Sequence, residues 1–190
     1  MRCFIAIDID PTVKEELAEL QTELAGAVDI RKGDVKWVRP ESMHLTLKFL
    51  GAITDQQVVD VCSAVERVVA GAVPFEIDVA TVGSFGGKSA RVLWVGAGAE
   101  SAALAKLHAD LEAQLAQVGF PPESRKFSAH LTLCRIRNRH AGFKLGRLTG
   151  DYADYSVGRI SVEAISVYQS QLTPAGPVYT LLGGYPLHSG

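Results

Sequence analysis

The chain has 190 residues, 47% of them apolar, and a formal net charge of −2. That length and apolar content suit one domain, residues 1–190, with a substantial core, and the slightly acidic balance excludes a protein that coats nucleic acid in bulk, though not a local basic site. Three cysteines, Cys3, Cys62 and Cys134, are too few and too scattered for a disulfide framework or a zinc signature, and they fit a reducing cytoplasm.

Taken in chain order, the apolar start Phe4 to Ile7 is cut short by Asp8 and Asp10. It falls far below the roughly 7 to 15 residues of a signal-peptide core and reads as a first strand. No stretch approaches the roughly 20 apolar residues that span a bilayer. Asp10-Pro11 supplies an N-cap and an N1 proline, and Val13, Leu17, Leu20 and Leu24 form an apolar stripe that predicts a helix over about 11–25. A strand bearing His44 follows and ends at Gly51. Thr54-Asp55-Gln56-Gln57 is a capping-box pattern opening a helix with Val58, Cys62, Val65 and Val69 as its core face.

Residues 75–83 and 91–96 read as strands joined by Gly86-Gly87-Lys88. A third helix carries Leu104, Leu107, Leu111, Leu115 and Val118, and Gly119 with Pro121-Pro122 stops it. A strand bearing His130 comes next, then a basic loop, and strands at about 157–168 and 178–182 close the chain. The order strand, helix, His-strand occurs twice. It predicts an α+β fold of two similar lobes, mainly antiparallel sheet with outer helices, facing each other across a cleft without a linker to separate them.

The repeat is sharpest in sequence: His44-Leu45-Thr46-Leu47 recurs unaltered as His130-Leu131-Thr132-Leu133, which places two of the five histidines in it. In a strand, side chains at i and i+2 share a face, so each copy sets a His beside a Thr and turns its leucines to the core. Imidazole gives or takes a proton near neutrality, with a reference pKa of about 6.5, and a threonine hydroxyl can donate to a phosphate oxygen. Across a cleft, one His can act as base and the other as acid on opposite sides of one reacting atom, the arrangement for in-line displacement at phosphorus. One copy alone would read as a structural histidine. A duplication preserving a buried strand explains the leucines and threonines but not a titratable ring at the same place twice.

The segments Trp37-Val38-Arg39-Pro40-Glu41-Ser42-Met43-His44-Leu45-Thr46-Leu47-Lys48-Phe49-Leu50-Gly51 and Phe127-Ser128-Ala129-His130-Leu131-Thr132-Leu133-Cys134-Arg135 resemble the two signature segments of the 2H phosphoesterase superfamily, in particular its RNA 2',3'-cyclic phosphodiesterases, first described as 2'-5' RNA ligases. Arg2-Cys3-Phe4-Ile5-Ala6-Ile7, Arg91-Val92-Leu93-Trp94-Val95-Gly96, Tyr168-Gln169-Ser170 and Gly176-Pro177-Val178-Tyr179 extend the resemblance over nearly the whole chain. It implies hydrolysis of 2',3'-cyclic phosphate ends of RNA or nucleotides to 2'-phosphates, with no metal, other cofactor or obligate protein partner. His44 is then the proton donor, His130 the proton acceptor, and Thr46, Thr132 and Arg135 the phosphate ligands. The symmetric motif by itself does not say which ring does which. Entry of an RNA 5'-hydroxyl in place of water would give 2'-5' ligation. Hydrolysis of another cyclic phosphate, such as ADP-ribose 1'',2''-cyclic phosphate, and a non-catalytic nucleotide-binding module are the alternatives.

Charge agrees with an anionic ligand. From Arg125 to Gly150 stand Arg125, Lys126, Arg135, Arg137, Arg139, Lys144 and Arg147, with no acidic residue among them, and guanidinium matches phosphate oxygens in a fork. Regular alternation would nevertheless send Arg135 into the core with Leu131 and Leu133. A buried unpaired guanidinium is too costly, so the strand is expected to end or bulge near Cys134. On the first strand, alternation puts Lys48 on the face of His44 and Thr46, assisting phosphate binding or solvated. His108, His140 and His188, the last in a tail, read as structural or surface residues. A metal site of His44, His130 and Cys134 lacks a carboxylate at ligand spacing, and Gly83, Gly86 and Gly87 do not form a nucleotide-binding loop.

Overall fold

A computed structural model describes residues 1–174 and 176–188. Two antiparallel sheets organise them. The first comprises β1 (Arg2–Ile7), β3 (Leu45–Ala52), β8 (Ala164–Thr173) and β9 (Gly176–Pro186), in the order β3-β1-β8-β9. The second comprises β2 (Val35–Trp37), β4 (Phe75–Phe85), β5 (Val92–Ala97), β6 (His130–Ile136) and β7 (Ser156–Val162), in the order β2-β6-β5-β4-β7. Four α-helices accompany them: α1 (Pro11–Gly26), α2 (Asp55–Val69), α3 (Ala102–Gln117) and α4 (Arg139–Leu148). This is the α+β arrangement the repeat predicts. In each sheet the His strand lies beside the strand that precedes it by a helix, β3 beside β1 and β6 beside β5. The two His strands approach each other from different sheets without pairing.

Local chemistry accounts for most of these elements. On α1, Val13, Leu17, Leu20 and Leu24 are buried as the stripe predicts, each leucine removing roughly 1.5–3 kcal/mol worth of apolar surface from water. Asp10 stands at the N-cap, but its carboxylate accepts from Ser161 N (3.2 Å) rather than from its own helix. Thr54 and Gln57 form the capping box of α2 in both directions. The buried face of α2 is Val61, Ala64, Val65, Val68 and Val69, with Val58 and Cys62 only half-buried; it is turned by about one position from the expected face, because small Ala64 hides part of the apolar stripe. After α3, Gly119 takes φ 92°, the left-handed region that glycine enters without strain.

Two expectations need correction, and one strand is not foreseen. The strand expected at 157–168 is two strands in different sheets, β7 and β8, broken at Glu163. The basic segment after β6 is not a loop: Asn138 caps α4 through Oδ1, which accepts from His140 N and Ala141 N. That helix buries Ala141, Gly142 and Leu145, residues too small to show as an apolar stripe. Short β2 gives no signal in sequence because Val35-Lys36-Trp37 has no room for an alternating pattern. Residues of both sheets, Ile5, Ile7 and Leu45 from one and Leu93, Val95 and Leu131 from the other, share one apolar cluster.

Candidate active site

His44 immediately precedes β3, and His130 opens β6. Both rings are half-buried, and both line a single cavity of about 780 Å³ together with Thr46, Thr132 and Arg135. All five residues singled out in the sequence therefore meet in one cleft between the sheets.

Each imidazole is held the same way. His44 Nδ1 lies 3.0 Å from the carbonyl of Ser42, and His130 Nδ1 lies 2.7 Å from that of Ser128. A carbonyl can only accept, so each Nδ1 must carry the proton and each Nε2 is left to exchange one with a ligand. The repeat therefore extends two residues further than the tetrapeptide, as Ser-X-His-Leu-Thr-Leu. Sequence reasoning missed this part because the group in use is backbone, although the shared serine was visible.

The predicted bulge is present, and it is present twice. On β6, Thr132 pairs with Trp94 and Cys134 with Leu93, which leaves Leu133 as an extra residue. On β3, Thr46 pairs with Ala6 and Lys48 with Ile5, which leaves Leu47 extra at the equivalent place. Past each bulge the alternation reverses. Leu133 and Cys134 are both buried and Arg135 emerges exposed, lining the cavity. The carbonyl of bulged Leu133 is satisfied by Val38 N (2.9 Å) and by Nε2 of buried Gln21 on α1 (2.8 Å), which also donates to Val38 O at 2.8 Å. Gln21 was not singled out in the sequence, since nothing in a helix signals a partner 112 residues away.

The same bulge overturns both expectations for Lys48. Its side chain is 4% exposed, and Nζ lies 2.7 Å from Glu112 Oε1 and 2.9 Å from Pro121 O. It is not solvated, and although the residue lines the cavity its ammonium is taken up by Glu112 and the Pro121 carbonyl. Glu112 Oε2 also accepts from Glu123 N at 2.8 Å. The pair ties β3 to α3 and to the segment leading to His130.

Aromatic rings pack both histidines. Phe4 stacks on His44 at 4.6 Å between centroids, Tyr168 stacks on Phe4 at 5.4 Å, and Tyr179 meets His44 edge-on at 5.2 Å. Beside His130 stand Phe85 at 5.0 Å and Trp94 at 6.1 Å. Gly83 is the seat of that indole, because any Cβ there would collide with the Trp94 ring; this is the work of a glycine that forms no nucleotide loop. Burial pushes the His44 imidazole below its ordinary range, opposed by its bond to Ser42 O and by the Asp8 carboxylate. An anion entering the cavity would raise it again.

The cavity is electropositive on one side. Lys36 pairs directly with Arg135 across β2 and β6, and Arg137 lies beyond them. Like charges opposite each other disfavour a sheet, and an anion between them relieves the cost. Tyr179 feels the Arg135 charge, which opposes the upward push of burial on its phenol. Cys134 faces the core, and burial pushes its thiol up to about 12, so it supplies no thiolate. Among the described residues, no group of three or more His, Cys, Asp or Glu is placed to hold a metal ion. His108 stacks on Phe127 at 3.8 Å, exposed His140 lies in the first turn of α4, and His188 N donates to Ala72 O at 3.0 Å, which ties down the segment expected to be a tail.

Two sheets that each present a His and a Thr to one basic cleft define a phosphoesterase of the two-histidine class. The family described as LigT like Phosphoesterase matches residues 7–94 and again 95–179, so each half carries one motif. The chain belongs to this LigT-like phosphoesterase family of the 2H superfamily. A Methanothermobacter thermautotrophicus protein named RNA 2',3'-cyclic phosphodiesterase is 33% identical over 181 residues, 95% of either chain. A Thermotoga maritima protein of the same name is 35% identical over 184 residues, 96% of this chain and 93% of its own. Among solved structures, TT0787 of Thermus thermophilus superposes with a TM-score of 0.80 at 27% identity over 98% of both chains. E. coli LigT complexed with 3'-AMP gives 0.79 at 22% identity over 99% of this chain and 98% of the other, a likeness of fold.

Proposed function

We propose that this chain is a single domain of two lobes that hydrolyses the 2',3'-cyclic phosphate of RNA or nucleotide ends to a 2'-phosphate, using only its own side chains. The observation that carries the reading is the pair of histidines in one cleft, each with Nδ1 occupied by a serine carbonyl and Nε2 left for proton transfer. The names of its relatives support the same substrate. His130 takes a proton from water, which attacks phosphorus, and His44 gives its proton to the departing ribose O3'. Thr46, Thr132 and Arg135 hold the nonbridging oxygens and stabilise the charge that grows on them in the transition state. An RNA 5'-hydroxyl in place of that water would make a 2'-5' phosphodiester by the same steps. We place the reaction in the cytoplasm, where the three free cysteines stay reduced.

The test is turnover of a 2',3'-cyclic nucleotide in EDTA, with the product identified. A 2'-phosphate is expected at an undiminished rate. His44→Ala and His130→Ala should each lose about 10²- to 10⁴-fold, the range of general acid or base catalysis, while keeping the wild-type circular dichroism. Loss of activity on chelation, or a histidine variant with near wild-type turnover, would sink the mechanism.

A further inference from the structure

The two bulged strands match position by position. Leu45-Thr46-Leu47-Lys48-Phe49-Leu50 and Leu131-Thr132-Leu133-Cys134-Arg135-Ile136 share one burial pattern: buried, half-buried, buried, buried, exposed, buried. At the exposed position, where β6 presents Arg135, β3 presents Phe49. Phe49 is 64% exposed and lines the same cavity. A single exposed apolar side chain is ordinary on a protein surface. This one stands in a cleft, over Phe4 at 6.2 Å, with Leu172, Pro177 and Tyr179 of the same sheet lining the cavity beside it. The second sheet and the segments flanking β6 supply most of the cations, Lys36, Arg125, Lys126, Arg135 and Arg137; the first sheet adds Arg2 and Lys48, the latter paired with Glu112, and Arg39 stands between β2 and β3.

From this asymmetry we infer that Phe49 is the platform on which the nucleobase of the terminal nucleotide stacks, and that Phe49 and Arg135 together fix the orientation of the substrate. The inference rests on the cyclic-phosphate reading above. A π-face accepts any base, so the platform contributes affinity without base selectivity. Its chemical consequence is larger. His44 immediately precedes β3 and Phe49 is carried by β3, so a base seated there holds the ribose on the side of the first sheet and His44 while Arg135 draws the phosphate oxygens toward β6. In-line displacement puts the leaving O3' and the attacking water on opposite faces of phosphorus. The ribose oxygen then leaves toward His44, and water arrives from the side of His130. Two otherwise equivalent motifs thereby acquire different roles, acid and base.

The experiment compares kcat/KM for 2',3'-cyclic AMP with that for base-free ribose 2',3'-cyclic phosphate, in the wild type, Phe49→Ala and Phe49→Trp. In Phe49→Ala the ratio of nucleotide to base-free turnover should fall about 5- to 100-fold, the range that base–aromatic stacking supplies, and Phe49→Trp should keep it. With the anchor gone the ribose can also bind turned over, so Phe49→Ala should release a mixture of 2'- and 3'-phosphate where the wild type releases the 2'-phosphate. Because Phe49 is exposed, its replacement leaves the core intact. An unchanged ratio overturns the platform, and a reduced ratio with pure 2'-phosphate overturns its orienting role. Failure of the wild type on both substrates would instead overturn the cyclic-phosphate reading and this inference with it.

Discussion

Arg135 shows what one side chain contributes to this site and how it can be tested. Arg135→Lys keeps the charge and loses the bidentate fork. If the fork serves the transition state more than the ground state, kcat should fall along with kcat/KM in steady-state assays; an unchanged kcat with a raised KM would mean uniform binding. His44 yields a second expectation, from pH. As the acid it must be protonated, and raising the pH removes its proton, so His44 sets the alkaline limb of the rate profile. Burial lowers its pKa, which puts that limb in kcat/KM below the ordinary value near 6.5. A bound phosphate anion raises it, so the limb of kcat should lie at higher pH. Coincident alkaline limbs in the two profiles would contradict this. At this scale the sequence was most informative, since the identical motifs name four residues directly. The cost of burying a guanidinium argued for the bulge that turns Arg135 outward. Lys48 was illegible, because its partner Glu112 lies 64 residues away and belongs to another helix.

Among the elements, β6 depends on α1. Gln21 supplies donors to the carbonyls of Leu133 and Val38 where the ladder is broken. Gln21→Leu leaves the Val38 carbonyl without that donor, which should cost about 1–3 kcal/mol, read as a lowered urea midpoint. It should also raise KM, because the bulge aims Arg135. A variant with lowered stability and unchanged KM would separate the bulge from the site. The long amphipathic helices and the capping box were legible because their signals are local. α4 was hidden by small core residues and surrounding charge, and the join at Glu163 was hidden because two strands of different sheets follow one another without a turn signal.

Across the whole molecule, the Lys48–Glu112 pair ties a strand of the first sheet to α3 and to the segment that delivers His130. Lys48→Met leaves a carboxylate buried without its cation and should destabilise by about 3–5 kcal/mol, whereas replacing both partners with apolar residues should recover most of the loss. Chemical denaturation of the two single variants and the double variant checks this; a double-variant loss equal to the sum of the two single losses would show that the pair is not coupled. The pseudo-symmetry of the sheets was legible from the order of elements. The contacts between them were not, since each joins residues far apart in the chain.

The packing around the cleft also gives the protein a built-in optical reporter. The chain has two tryptophans. Trp37 lines the cavity, and Trp94 lies 6.1 Å from the His130 ring, so ultraviolet emission arises at the site itself. Ligand titrations can be followed without labels. A Trp37→Phe variant isolates the indole beside His130, whose emission should dim as that ring takes up a proton.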